Sequence, residues 1–264
     1  MTAAQRDLGK VVCVTQARMT STRLPGKILM TAAGKPLLQW HLERLEAARR
    51  VDQVALATTA NAADDPAAEL AEQLGAFVFR GSEHDVLGRF AGCAAACGAD
   101  TVIRVTADCP LIDPALVDDL VEAFGAAPDW DYGNIDVGRY PRGLDAEIFA
   151  YSTLAQAAAE AHEPFEREHV TPFIYRRPDR FRLGAPVGPS GPPPPSYRWC
   201  VDEAADLALI RLLLAELPTD GVFGWRDVCM LISQHPDWAD VNRDVAQRKL
   251  GGSRDPAPSV LSNS

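Results

Sequence analysis

The feature that most constrains this chain is the alternation of short apolar runs with amphipathic segments. VVCVTQ (Val11 to Gln16) reads as a buried strand, and a polar loop holding Pro25 and Gly26 follows it. Leu38, Leu42 and Leu45 then fall on one helical face, and QVALATT (Gln53 to Thr59) reads as the second strand. Asp65 and Pro66 open a helix as N-cap and first-turn proline, and Gly75 closes it. FVF (Phe77 to Phe79), a helix from Asp85 to Cys97 and TVIRVT (Thr101 to Thr106) continue the rhythm. Asp113 caps a further helix carrying Leu116, Leu120 and Phe124 and stopped by Gly125. Strands and helices at this spacing make parallel βαβ units, so the expected fold class is α/β, with a mostly parallel sheet covered by helices on both faces.

Beyond Gly125 the pattern loosens. DAEIFAYS (Asp145 to Ser152), FRLGAPV (Phe181 to Val187) and RWCVD (Arg198 to Asp202) read as strands. Helices are expected at Leu154 to Ala161, at Glu166 to Arg176 and across Leu207, Ile210, Leu214 and Leu217. The consecutive prolines of GPSGPPPPS (188–196) lack amide donors and require a surface loop of unassigned role. The expectation is a single domain over residues 10–250, with a first half of about 10–125 that binds nucleotide and a second of about 126–250 that binds an acceptor; 251–264, rich in Gly, Ser and Pro, reads as a flexible tail.

Composition excludes some partners. A net charge of −10 disfavours a nucleic-acid partner. No run of about 18 apolar residues suggests a membrane span, and MTAAQRDLGK lacks the apolar stretch of a signal peptide. The six cysteines show no paired spacing, so the expected setting is the cytoplasm, with reduced thiols.

In open α/β sheets ligands bind beyond the carboxyl ends of the strands. After the first strand, QARMTSTRLPGK brings Arg18, Arg23 and Lys27 together with Thr20, Ser21, Thr22 and Gly26. Cations and small hydroxyl donors in one loop suit a triphosphate, although the spacing is not that of a P-loop. On charge alone a solvated basic loop fits as well. After the fourth strand, TADCPLIDP places Asp108 at the cleft, where a carboxylate facing a triphosphate suits Mg²⁺; a turn aspartate is the structural alternative. Asp202 precedes a helix and reads equally as its N-cap. Asp145 and Glu147, two apart on an expected strand, share a face near Arg142 and suit sugar hydroxyls, a metal or merely solvent. His169 lies among charges, where a helix surface is its ordinary place. A thiolate zinc site at Cys109 and Cys200 matches no zinc spacing.

QARMTSTRLPGK resembles the CTP-binding signature of the cytidylyltransferases that activate 3-deoxy-manno-octulosonate and acylneuraminates. FRGSEHDVLGRF, RVTADCPLIDP, YPRGLDAEIF, REHVTPFIY and RWCVDEAADL resemble, in order, the spore coat polysaccharide biosynthesis F-type branch of that family. The likeness runs from about Val11 to Leu217. It implies a Rossmann-like nucleotide-diphospho-sugar transferase fold and transfer of CMP from CTP to a sugar or sugar acid, with Mg²⁺ as cofactor and pyrophosphate as product. It assigns the metal to Asp108 and Asp202, and the phosphates to Arg18, Arg23 and Lys27, which would also stabilise the reacting charge. Gln16, Ala17, Ser21, Arg80, Gly81 and Ser82 complete the expected nucleotide site. Arg142, Asp145, Glu147 and His169 are the candidates for the acceptor, on sequence position alone. Ala107 departs from the family, where glycine commonly precedes the aspartate. Homodimers are common among such relatives, and residues 160–180 are the candidate interface. A glycosyltransferase using a nucleotide sugar, or a non-catalytic nucleotide-binding relative, stands as the alternative reading.

Overall fold

A computed structural model of the protein describes residues 5–191, 193–219 and 223–246; the tail expected at 251–264 lies outside the described residues. Its main sheet has the order β5-β4-β1-β6-β8-β7, built from β1 (Val11–Gln16), β4 (Gln53–Thr59), β5 (Phe77–Gly81), β6 (Thr101–Thr106), β7 (Tyr132–Asn134) and β8 (Glu147–Ala150). β2 (Thr31–Ala32) and β3 (Lys35–Pro36) form a separate antiparallel pair. The four strands β5, β4, β1 and β6 run parallel, and β8 and β7 join antiparallel at one edge. Strand order reverses at β1: the chain steps to β4 and β5 on one side, then crosses to β6 on the other. Register aligns Gln16 with both Ala57 and Thr106, so the loops leaving β1 and β6 open at one level. That crevice is where an open parallel sheet places a ligand.

Alternating side chains of the strands face two apolar layers. Cys13, Leu56, Ile103 and Ile148 pack with α1 (Leu37–Glu46), α2 (Asp65–Gln73), α4 (Pro114–Ala126), α8 (Ala204–Glu216) and α9 (Trp225–Gln234). Val12, Val14, Val102 and Phe149 pack with α3 (Val86–Ala96), α5 (Tyr151–Glu160) and α7 (Pro172–Tyr175). Helices therefore cover both faces of the sheet. The α1 stripe of Leu38, Leu42 and Leu45 is fully buried, each leucine contributing about 1.5–3 kcal/mol by leaving water.

Several local expectations need correction. FRLGAPV and RWCVD are not strands; they make only isolated bridges, Leu183 to Tyr132, Val187 to Ile135 and Arg198 to Arg142. Pro186 has no amide to donate, and Gly184 packs against the Trp130 ring, leaving no continuous ladder. The helix expected at Glu166 to Arg176 is two: α6 (Pro164–His169) ends where Val170 takes φ 73°, and α7 begins at Pro172. Gly125 lies inside the last turn of α4, not beyond it. The residue at the N-cap of α2 is Asp64, not Asp65. Nor is α9 among the expected elements. In the 188–196 segment the described residues form no regular element, and Arg139 donates to the carbonyls of Pro189 and Gly191.

Candidate active site

The loop leaving β1 is closed on itself and tied to the sheet. Gly26 adopts φ 71°, a left-handed conformation that costs glycine little, and its amide donates to Met19 O at 3.0 Å. The next residue, Lys27, opens a single 3₁₀ turn, and its side chain points into the fold rather than into solvent. Asp64 holds the other side of the loop, accepting from Met19 N at 2.7 Å and from the Thr59 hydroxyl at the end of β4. The basic segment is thus a built loop, only partly solvated.

Lys27 is 8% exposed and binds three groups. Its Nζ donates to Asp108 Oδ2 at 2.9 Å, to Asp202 Oδ1 at 3.0 Å and to the Val201 carbonyl at 2.6 Å. Burial pulls the ammonium pKa down, but the two carboxylates outweigh it and hold it above the ordinary lysine value. Burial would likewise raise Asp108; the Lys27 charge and hydrogen bond overcome that and keep it below its ordinary value. Asp202 Oδ2 accepts from Arg23 at 2.8 Å and from Arg198 at 2.6 Å. Asp202 does not cap α8: Glu203 is the N-cap, in a capping box with Asp206. Asp206 also fixes Arg198 at 3.0 Å and the Asp202 amide at 2.9 Å, so the Asp202 backbone and side chain are both oriented from below. Gly143 (φ 102°) lets the segment carrying Asp145 cross close to the Trp199 and Cys200 backbone, where a Cβ would lie 2.7 Å from Cys200 N.

Two further buried groups set the β6 loop. His41 bridges Thr15 Oγ1 (2.9 Å) and Cys109 O (2.8 Å), and burial lowers its pKa to about 4, so the ring is neutral. Arg44 donates to Ile112 O at 2.6 Å and Phe223 O at 2.8 Å. Asp113 caps α4 through Ala115 N and also accepts from Trp225 N, the first amide of α9.

These elements enclose a cleft of about 740 Å³. It gathers Gln16, Ala17, Arg18, Ser21, Arg23, Lys27, Asp108, Asp202 and His169 from the expected set, together with Ala107. The other expected residues do not line it. Arg80 is spent on Thr59 O, Asn61 O and Asp65; Gly81 lies against Arg89, and the Ser82 hydroxyl accepts from the amides of His84 and Asp85. Glu147 is bound inside the sheet edge by Arg104, Tyr132 and Thr171. Asp145 precedes β8 and pairs with Arg142 at 3.5 Å, so it and Glu147 are not successive members of one strand face. Burial first, then the Asp108 and Glu147 charges, outweigh Arg142 and raise the Asp145 carboxyl. Cys109 and Cys200 are buried thiols pushed upward, Cys200 to about 12, and among the described residues no three His, Cys, Asp or Glu side chains form a metal cluster. A zinc site there has no support.

Sequence reading missed the wall opposite Lys27. Glu83 accepts from Thr20 and Asn61, joining the β1 loop to the β5 loop. Asp85 caps α3 through Gly88 N and receives Arg167 of α6 in a two-pronged pair. Arg89, His84, His162 and Glu168 also line the cleft. The GSEHD spacing carried a signal for Asp85 as a helix cap, but nothing local pairs it with a residue 82 positions later.

The fold and the cleft can be set beside known proteins. A family model described as cytidylyltransferase matches residues 12–211, which include all of β1 but its first residue, and Lys27, Asp108 and Asp202. The chain is similar to an uncharacterized protein of Methanocaldococcus jannaschii, with 32% identity over 90% of this chain and 97% of that one. It is also similar to the spore coat polysaccharide biosynthesis protein SpsF of Bacillus subtilis, with 29% identity over 88% of this chain and 98% of that one. A solved cytidylyltransferase from Leptospira borgpetersenii superposes with a TM-score of 0.82 at 30% identity, covering 90% of this chain and 99% of its own. With one family matched across β1 to α8 and the same fold shared over nine-tenths of the chain, this protein belongs to the cytidylyltransferase family and is a CTP-using nucleotidyltransferase.

Proposed function

We propose that this enzyme transfers CMP from CTP to a hydroxyl of a sugar or sugar acid, giving a CMP-activated sugar for polysaccharide or glycoconjugate assembly. The observation that carries the reading is the convergence of Asp108 and Asp202 on one ammonium at the carboxyl ends of β1 and β6, in a cleft lined by Arg18, Arg23 and Arg89. The acceptor oxygen bonds to the α-phosphorus, the bond from that phosphorus to the bridging oxygen breaks, and pyrophosphate leaves with the electron pair. The hydroxyl proton passes to water. Such a transfer asks little covalent chemistry of the protein and much positioning and charge neutralisation.

Asp108 and Asp202 also fit Mg²⁺. Both carboxylates reach the Lys27 ammonium, so they lie close enough together to share one cation, and both donors are hard oxygens. Two carboxylates suffice, because Mg²⁺ typically takes its remaining ligands from substrate phosphates and water. When bound, the ion supplies charge neutralisation at phosphate oxygens. Arg23 and Arg198 orient Asp202, and Lys27 keeps Asp108 ionised. Arg18 and Ser21 sit on the loop that would wrap the phosphates. On the acceptor side the reading narrows to α6 and the turn before it, where His162, Arg167 and His169 line the cleft.

The same reading takes residues 10–125 as the nucleotide half and 126–250 as the acceptor half, with a homodimer through residues 160–180 and a cytoplasmic setting. None of the described helices is long and apolar enough to cross a membrane. The test is thermal stabilisation by nucleotides with Mg²⁺. At 100 times its Kd, CTP should add about 2.7 kcal/mol, more than UTP, GTP or ATP at equal concentration. A larger shift with UTP or GTP would contradict the assignment.

A further inference from the structure

Among the described residues, every Lys and Arg lining the cleft has a carboxylate partner except one. Lys27 has Asp108 and Asp202, Arg23 has Asp202 and Glu203, Arg167 has Asp85, and Arg18 reaches Glu83 at 3.9 Å. Arg89, in the first turns of α3, is 3% exposed and makes no ion pair among the described residues. Its Nη1 donates to the Ser82 carbonyl, and its Nε is buried with no acceptor among the described residues. The nearby carboxylates are engaged elsewhere: Asp64 by Met19 and Thr59, Asp85 by Gly88 and Arg167, Glu83 by Thr20 and Asn61. Asp64, Asp85 and Glu83 offset the burial of this guanidinium only from a distance, and none of them pairs with it. Arg18, from the β1 loop, lines the same cleft, and its positive charge acts against that of Arg89. Two guanidiniums lining one cleft, one of them unpaired, are an arrangement completed by an oxyanion.

We propose that Arg89 is a substrate-binding residue that takes a phosphoryl oxygen of the nucleotide, opposite the Lys27 side of the cleft and in concert with Arg18. This rests on CTP being the nucleotide, and it adds a phosphate contact from α3 to those of the β1 loop. Arg89 reaches the site from beneath the GSEHD turn, so the turn and the bound nucleotide would be ordered together.

The test is a ladder of affinities, measured by calorimetry for cytidine, CMP, CDP and CTP on the wild-type protein and on Arg89→Met and Arg89→Lys. Loss of a charged hydrogen bond predicts CTP affinity about 10- to 100-fold weaker in R89M. R89K should fall between, because the charge stays while the planar fork is lost. Cytidine should bind both variants as it binds the wild type, and the rung at which the loss first appears identifies the phosphate. The melting temperature of R89M without nucleotide should equal or exceed that of the wild type. Equal CTP affinity in R89M, a full loss already present with cytidine, or a lower melting temperature without nucleotide would each overturn the proposal. A wild-type protein that binds no CTP would instead remove the functional reading on which it rests.

Discussion

Lys27 and Asp202 are 175 positions apart in the chain, yet the Lys27 ammonium lies 3.0 Å from Asp202 Oδ1. This contact fastens the loop after β1 to the segment before α8, and Asp108 completes it from the loop after β6. Three distant pieces of chain therefore meet at one charge cluster, and most of the expected behaviour follows from how that cluster is held.

Asp202→Asn separates a site residue from a helix cap. Asn caps a helix about as well as Asp, so a capping role would leave rate and stability unchanged. Because Glu203 is the cap, loss of the Asp202 charge should instead lower kcat by about 100-fold or more, with partial rescue by higher Mg²⁺. Asp108→Asn should behave alike, and the double variant should be little worse than either, since groups acting as a unit are not additive. Pyrophosphate release against Mg²⁺ concentration reads all three; full activity of Asp202→Asn would remove it from the site.

Lys27→Met is expected to cost stability as well as rate. Removing a buried cation from between two carboxylates typically costs about 3–5 kcal/mol, whereas Arg23→Ala, at a more open position, should cost about 1 kcal/mol. Both should lower turnover by about 30- to 1000-fold, equivalent to roughly 2–4 kcal/mol of lost transition-state stabilisation. The pH dependence follows from the same contact. Asp108 lies below its ordinary pKa, so its contribution is present above about pH 4 and lost as pH falls through the folded value. Lys27 lies above its ordinary pKa, so its contribution is present below about pH 10.4 and lost at more alkaline pH. Lys27→Met should flatten both limbs in denaturant titrations across pH.

His41 adds a limb of its own at mildly acidic pH. Its folded pKa of about 4 is well below the unfolded value of about 6.5, so below pH 6.5 only the unfolded chain takes up the proton. Stability should drain between pH 6.5 and 4 by up to about 3 kcal/mol, then level off. His41→Gln should lose that slope, and an unchanged slope in the variant would show that the ring is not the titrating group.

Asp64→Asn tests whether the β1 loop is pre-shaped. The amide cannot accept well from both Met19 and Thr59, so the loop should loosen, at a cost of about 1–3 kcal/mol. KM for CTP should rise by about tenfold while kcat changes less, because Asp64 touches the loop and not the reacting atoms. A selective drop in kcat would place Asp64 in the chemistry.

Local pattern made the parallel half of the fold legible, because each of its strands and helices carries its own periodicity and punctuation. The basic loop and Asp108 were legible for the same reason: they follow strands whose ends face a cleft in any such sheet. What the sequence obscured was long-range pairing. Asp65 before Pro66 looks like a cap, and only the fold shows that Asp64 turns back to the loop. Asp202 beside a helix start looks like a cap too, although the Glu203 to Asp206 spacing of a capping box was present to be read. Arg142, Asp145 and Glu147 were grouped by proximity in sequence; the sheet edge draws Glu147 into a network with Arg104, Tyr132 and Thr171. Arg89 sat inside a recognised block without notice, since burial without a partner has no local signature.

The most direct measurement of the central claim is pyrophosphate release by the purified protein with Mg²⁺, tested with each of CTP, UTP, GTP and ATP against a panel of sugars and sugar acids. The account predicts release that requires both CTP and one class of acceptor, with CMP recovered on the acceptor in equal amount and the signal lost in Asp108→Asn. Release with another nucleotide in preference to CTP, or CTP turnover that yields no CMP-linked sugar from any acceptor, would contradict it.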